Sequence, residues 1–297
     1  MARFSIRDVE KFTGVKAHTL RIWEQRYNIL TPKRTDTNIR YYDDADLKQL
    51  LGISILLNNG YRISKAACMC REEVAGKVKE FSENNVSAIN QIMGLVSAML
   101  DLDEQAFNKL LNTQVLQLGL EKTVIQVLFP FLNHLGMLWM TGTIHPAHEH
   151  FVSNLIKQKL YVAIEGQVQK SGSESIKFLL YLPEGESHEL GLLFANYVLR
   201  SHGHQTIYLG QNTPEEDIVQ VFELYNPDAV VLTVTACTTI NEMPSFVQHT
   251  AKLWKGKHIY IAGKMCDDLK STLPAGMTWV KDLDDLLEQM DKNKIAS

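Results

Sequence analysis

Four short apolar runs most constrain what the second half of this chain can fold into. They are Phe178–Leu182, Gln205–Gly210, Ala229–Val234 and His258–Gly263. Each is strand length and is bounded by polar or glycine-bearing segments. The intervening stretches have helical period: Leu190–Arg200, a segment opening at Thr213-Pro214-Glu215-Glu216, and Met243–Trp254. Thr213 reads as a cap, with Pro214 at the first helical position. A late run, Met277–Val280, precedes a closing helix over Leu283–Met290. Strands alternating with helices predict a parallel, doubly wound sheet over residues 176–297. The β-branched run Ala229–Val234 suits a strand buried on both faces. A ligand site on such a sheet lies in the loops at the strand ends. The loop after the first run is Glu186-Ser187-His188-Glu189-Leu190-Gly191, which sets a histidine, two carboxylates and a glycine there.

Upstream, the period is helical from Ser87 to about Glu165. Ile92, Met93, Val96 and Met99 form one stripe, and Asp101-Leu102-Asp103 caps a second helix through Leu111. Leu120 to Leu135 forms a third, which Pro130 is predicted to kink. Glu149 to Ile164 forms a fourth. Short connections predict a four-helix bundle over residues 85–168. A Ser/Gly-rich linker, Gln167–Ser175, joins it to the α/β domain.

The net charge of −4 is unevenly placed. Residues 1–75 hold 13 Lys and Arg against 9 Asp and Glu, so the body is acidic and the head basic. A basic head predicts a polyanionic partner. Its pattern is a winged helix-turn-helix. Ser5 caps a helix from Ile6 to Phe12, Thr13-Gly14 turns, and a second helix runs from Lys16 to Tyr27 with Leu20 and Trp23 inward. The outer side of that helix shows His18, Thr19, Arg21, Gln25 and Arg26. A basic wing follows, with Asn38 at its tip and Arg40-Tyr41-Tyr42 at its end, then a helix capped by Asp43. Residues 71–85 are charged and read as a short solvated helix and linker.

No run of 18 apolar residues occurs, which predicts no membrane span. The N-terminus has no apolar signal core, and the four cysteines form neither a disulfide framework nor a zinc spacing. A reducing cytoplasm is the expectation. No nucleophile–base triad, P-loop or paired carboxylates emerge, so enzymatic activity is not expected.

Ser5-Ile6-Arg7-Asp8-Val9, Thr13-Gly14-Val15, His18-Thr19-Leu20-Arg21-Ile22-Trp23-Glu24 and Arg40-x-Tyr42 resemble the DNA-binding head of the MerR family across residues 3–70. The resemblance implies dimeric binding to double-stranded operator DNA, the second helix in the major groove and the wing on the backbone. By position, His18 and Arg21 would sit at the groove, flanked by Thr19 and Arg26. Lys33, Arg34, Arg40 and Tyr41 would grip phosphates. Many members of the family dimerise through a long coiled coil. Here no sustained heptad follows the head, so self-association, as dimer or tetramer, is expected from elsewhere.

The spacing E-x-H-x-x-G at Glu186, His188 and Gly191 resembles the cobalt-ligating loop of cobalamin-binding domains. That implies His188 as cobalt axial ligand, Glu186 orienting its imidazole, and Gly191 letting the nucleotide tail pass. Thr233 and Thr235 stand where such domains carry S-x-L or S-x-T, Gly263 where they end Gly-Gly, and Asn212 in a loop beside the corrin. Ala262 departs from the first of those glycines. Trp139, followed after nine residues by Glu149-His150, resembles the helical cap of cobalamin-dependent photoreceptor repressors. There the Trp covers the upper face and the Glu and His enclose a 5′-deoxyadenosyl group. Met140 departs from that branch, which commonly has a cobalt-capturing His, so either cobalt is not captured there or His145 or His148 takes the task. The resemblance implies a light-sensing repressor with adenosylcobalamin as cofactor, or alternatively methylcobalamin. The other readings are a MerR-type regulator that has lost B12 and a corrinoid methyl carrier.

Overall fold

The computed structural model describes residues 4–30, 32–35, 38–84, 88–140, 144–167, 175–270 and 272–295. Within these, the side chains of residues 44, 79–84, 88–89, 137–140, 284 and 291–295 lie outside the description. The linker predicted at Gln167–Ser175 falls largely outside it as well. The chain forms two compact units, residues 1–155 and 156–297.

The first unit opens with α1 (Ile6–Thr13). Ser5 caps it reciprocally: its Oγ accepts from the Asp8 amide at 3.3 Å, and the Asp8 carboxylate accepts from the Ser5 amide at 2.8 Å. Gly14 ends the helix with φ 70°, and α2 (Ala17–Tyr27) follows. The wing is β1 (Lys33–Arg34) paired antiparallel with β2 (Arg40–Tyr41), and Asn38 takes φ 62° at its turn, as expected. Next come α3 (Asp44–Asn58), with a second reciprocal cap at Asp43, and the short α4 (Ile63–Ala66). Phe4, Phe12, Leu20, Trp23, Tyr42 and Leu47 are buried as the core of this head.

Residues 71–84 are helical and mostly exposed where their side chains are described, as expected, with one side chain packed inward. They form α5 (Arg71–Asn84), and Val74 is buried against α3. Gly52 of α3 allows this approach: a Cβ there would lie 2.4 Å from Val74 Cγ1. One apolar contact row on an otherwise charged helix is thus matched by a glycine on its partner.

The bundle follows as α6 (Ala88–Leu100), α7 (Glu104–Leu118), α8 (Leu120–Thr123), a π-helical turn (Val124–Leu128), α9 (Phe129–Met140) and the start of α10 (Pro146–Glu165), whose residues from Ile156 onward belong to the second unit. The predicted kink at Pro130 takes the form of that π turn. Proline has no N–H for the carbonyl four residues back, and the helix widens just upstream. Head and bundle meet in this unit through the edge of Phe12 in α1 and the ring of His134 in α9, with centroids 6.1 Å apart.

The second unit carries a five-stranded parallel sheet. Its elements are β3 (Lys177–Pro183), α11 (Leu190–Ser201), β4 (Gln205–Thr213), α12 (Glu215–Tyr225), β5 (Ala229–Thr233), α13 (Met243–Leu253), β6 (His258–Ala262), a 3₁₀ turn (Lys264–Leu269), β7 (Met277–Trp279) and α14 (Leu283–Ile295). The strand order is β4-β3-β5-β6-β7. The chain therefore reverses direction beside β3, and the carboxyl ends of β3 and β5 flank that switch point. The predicted Thr213 cap does not form. Thr213 is the last residue of β4, opposite Pro183, and Pro214 stands at the cap of α12. An irregularity at Gly210 (φ 84°) carries β4 further than its apolar run. Among the described residues, no helix is long and apolar enough to cross a membrane.

Candidate functional site

The site is built at the carboxyl ends of β3, β4 and β5. After Pro183 the chain turns through Glu184-Gly185, where the Gly185 amide donates to Asn212 Oδ1 at 2.8 Å. Asn212, itself at φ 54°, donates its amide back to the Glu186 carbonyl at 3.0 Å. The loops after β3 and β4 are thereby joined.

Glu186 is 1% exposed. Its Oε1 accepts from the amides of Ser187 and His188, both at 2.9 Å, and from His188 Nδ1 at 2.7 Å. Its Oε2 accepts from the amides of Thr235 at 2.6 Å and Ala236 at 2.9 Å, beyond β5. Burial alone would raise this carboxyl's pKa. The hydrogen bonds from the His188 ring and from the His188, Ala236 and Thr235 amides outweigh it and bring the pKa down to about 2. An ionised carboxylate can only accept, so Nδ1 carries the proton and donates. The tautomer that results has its lone pair on Nε2, the nitrogen suited to a metal. The His188 side chain is 54% exposed.

Thr233 ends β5 with its hydroxyl buried and without a hydrogen-bond partner among the described residues. Thr235 joins the site through its amide. Gly191 lies in the first turn of α11, where a Cβ would meet no atom within 4 Å. Gly263 has φ 108°, and a Cβ there would lie 2.3 Å from the Val234 carbonyl oxygen. The crossing of the β5 and β6 exits thus demands glycine at this position by itself. Ala262 is held in the sheet, its carbonyl accepting from the Val234 amide at 2.8 Å.

One residue of the loop escaped the sequence reading. Glu189 is 6% exposed, and its carboxylate bonds Lys157 Nζ of α10 at 2.8 Å and Tyr208 Oη of β4 at 2.9 Å. The sequence signal was its repeat of the Glu186 carboxylate type at a helix start, but nothing local said what would cover it.

The remaining expected cofactor residues belong to the first unit. Trp139 and Met140 lie in α9, with side chains outside the described residues. Glu149 lies in the first turn of α10 and His150 directly after it. Glu149 accepts from Ser153 Oγ at 2.5 Å and pairs with His150 Nδ1 at 3.0 Å. His145 stacks on His148, centroids 6.2 Å apart. Among the described residues no group of three or more His, Cys, Asp or Glu could hold a metal ion. A single imidazole such as His188 suits a metal that brings its other ligands with it.

On the head, His18, Arg21 and Arg26 are exposed along α2, and Thr19 is half-buried. Arg34 Nη1 on the wing donates to Asn38 Oδ1 at 2.8 Å. Two expected phosphate contacts are engaged within the head. Lys33 pairs with Asp43, and Arg40 Nε lies 3.6 Å from Glu24 of α2, which also accepts from Tyr42 Oη. Tyr41 is half-buried beside them.

Three family models match the chain: MerR HTH family regulatory protein over residues 4–73, and two B12 binding domain models over residues 92–164 and 176–272. The chain is 28% identical over 267 residues to the HTH-type transcriptional repressor CarH of Myxococcus xanthus, covering 88% of each. It is 23% identical over 288 residues to the repressor CarA of the same organism, covering 95% of this chain and 94% of that one. Its fold is similar to a Methanosarcina barkeri monomethylamine corrinoid protein at TM-score 0.51 and 16% identity, over 66% of this chain and 95% of that one.

Proposed function

We propose that this chain, a MerR-type DNA-binding regulator with B12-binding domains and a homologue of the CarH and CarA repressors, is itself a repressor controlled by adenosylcobalamin and light. The observation that carries the reading is the buried, ionised Glu186 holding His188 Nδ1 at 2.7 Å, the tautomer that suits Nε2 to a metal. The unpartnered Thr233 hydroxyl and the open space at Gly191 also fit a bulky polar group at the strand ends.

Bound cobalamin supplies a cobalt–carbon bond that light breaks. His188 would hold the cobalt, and Glu186 would fix its tautomer and ring angle. Thr233, Thr235, Gly191, Asn212 and Gly263 would line the path of the cofactor's nucleotide tail. Trp139 would shield the adenosyl group from water, and Glu149 with His150 would bond its sugar and base. Met140 would be a weaker cobalt donor than imidazole, so a protein ligand replacing the adenosyl group would come from His145 or His148. The cofactor state sets how copies of the chain associate, and so how the heads pair on an operator.

The test is purification in the dark with adenosylcobalamin. The expected product is coloured and retards a duplex that the protein has itself selected from a random pool. Illumination is expected to release that duplex. A colourless protein overturns cofactor binding and favours a regulator that works without B12. A coloured protein whose DNA binding ignores light overturns light sensing alone. Methyl transfer to an added acceptor would favour the carrier reading.

A further inference from the structure

Glu189 follows the His188 position directly and begins α11, its carbonyl accepting from the Leu193 amide at 2.8 Å. A carboxylate at a helix start ordinarily turns back to cap its own amides. This one makes no such bond. Both of its oxygens reach away to other elements instead: Oε1 to Lys157 Nζ of α10 at 2.8 Å, and Oε2 to Tyr208 Oη of β4 at 2.9 Å. The side chain of Glu189 is 7% exposed and that of Lys157 23%, so the pair is largely removed from water. Burial and the neighbouring Glu189 charge push the Tyr208 phenol far above its ordinary pKa. The same two causes raise that of Tyr161, one turn beyond Lys157 on α10. Lys157 and Tyr208 thus hold the carboxylate from two other elements.

The loop bearing His188 is in this way held from both sides. Glu186 ties it to the loop after β5, and Glu189 ties it to α10 and β4. Tyr208 is the last residue of β4 in regular register with β3, opposite Leu180, before the irregularity at Gly210. A buried carboxylate with two directional partners tolerates little displacement, because losing one partner leaves charge without compensation.

We propose that Glu189 is a positioning residue for His188, and that its bond to Lys157 couples the cobalt-ligating loop to α10. The inference rests on the reading of His188 as a cobalt ligand. When His188 is drawn toward or released from a metal, the peptide beside it moves the Lys157 anchor, and α10 receives the change.

The test uses the full chain with cobinamide, a corrinoid lacking its own nucleotide base, so that any axial nitrogen must come from the protein. The wild type is expected to give the nitrogen-bound visible spectrum, and His188→Ala the nitrogen-free one. Glu189→Gln and Lys157→Gln should bind about tenfold more weakly and show a mixture of the two spectra. The charge-reversed pair Lys157→Glu with Glu189→Lys should recover much of the nitrogen-bound signal, which a loss of general stability would not predict. In the cofactor-free chain, hydrogen exchange over residues 184–192 should quicken in the single variants. Lys157→Arg keeps the charge and should behave as wild type if Glu189→Gln proves unfolded. Wild-type spectra and exchange in both single variants would overturn the inference and leave the cofactor reading intact. A wild type that takes up neither cobinamide nor adenosylcobalamin would overturn the reading beneath it.

Discussion

Glu186 touches His188 at 2.7 Å with one carboxylate oxygen and the amides of Thr235 and Ala236 with the other. One buried side chain therefore sets the imidazole and closes the gap between the loops after β3 and β5. Replacing Glu186 by Gln keeps one acceptor and presents an N–H₂ group to donors. The expected cost is about 2 kcal/mol of stability in the cofactor-free chain. Cobalamin affinity should fall by about 10–100-fold. Urea denaturation and a spectroscopic titration measure the two effects separately. Unchanged stability would mean that the amides find other acceptors.

Gly263 yields a prediction of different sign from the cofactor reading. With φ 108° and a would-be Cβ 2.3 Å from the Val234 carbonyl oxygen, its glycine is demanded by the sheet. Gly263→Ala should destabilise the second unit by about 3 kcal/mol or more, whether or not cobalamin is present. Denaturation of the cofactor-free protein is the decisive measurement. A loss confined to cobalamin affinity would instead assign the glycine to the ligand.

These two residues also show how far the sequence was legible. The strands and helices of the second unit followed from hydrophobic period, because a sheet covered on both faces needs apolar runs of just that kind. His188 and Glu186 were legible as a pair through the resemblance of their E-x-H-x-x-G spacing to a cobalt-ligating loop, and both stand on one short loop. Glu189 was not, since its partners lie 32 residues upstream on α10 and 19 downstream on β4. Nor was the packed side chain of α5. Its burial depends on Val74 meeting Gly52, and a glycine inside an apolar helix gives no local sign of what it admits. The engagement of Arg40 by Glu24 likewise depends on the wing folding back onto α2.

His134 gives the pH dependence of the first unit. Its Nε2 is enclosed without a hydrogen-bond partner among the described residues, and its ring meets the edge of Phe12 across the seam between α1 and α9. Burial lowers its pKa below the ordinary histidine value. The unfolded chain therefore takes up the proton first as pH falls. The stability of this seam is fully present above about pH 6.5, the ordinary histidine value, and is lost as pH falls through the depressed folded value. Thermal melts from pH 8 to 5 should show this loss. His134→Leu should flatten it without lowering stability at pH 8. Equal acid sensitivity in the variant would place the titrating group elsewhere.

The head makes the last prediction, because the structure separates arginines that the sequence grouped together. Arg21 is exposed on α2 and Arg34 on the wing, whereas Arg40 lies against Glu24. An arginine that neutralises a phosphate releases a counterion on binding, so its removal lowers the dependence of log affinity on log salt by about 1. One that reads a base edge costs about 1–3 kcal/mol and relaxes specificity at that base pair, with little change in the salt slope. Arg34→Ala should show the first behaviour and Arg21→Ala the second. Arg40→Ala should do neither in the first instance. It removes the cation beside Glu24 and Tyr42, so the head should melt at lower temperature while the salt slope stays close to that of the wild type. Anisotropy titrations of a selected duplex at four or more salt concentrations, with melts of the same variants, distinguish the three. A slope change of about 1 for Arg40→Ala with an unchanged melt would return Arg40 to the phosphate-gripping set.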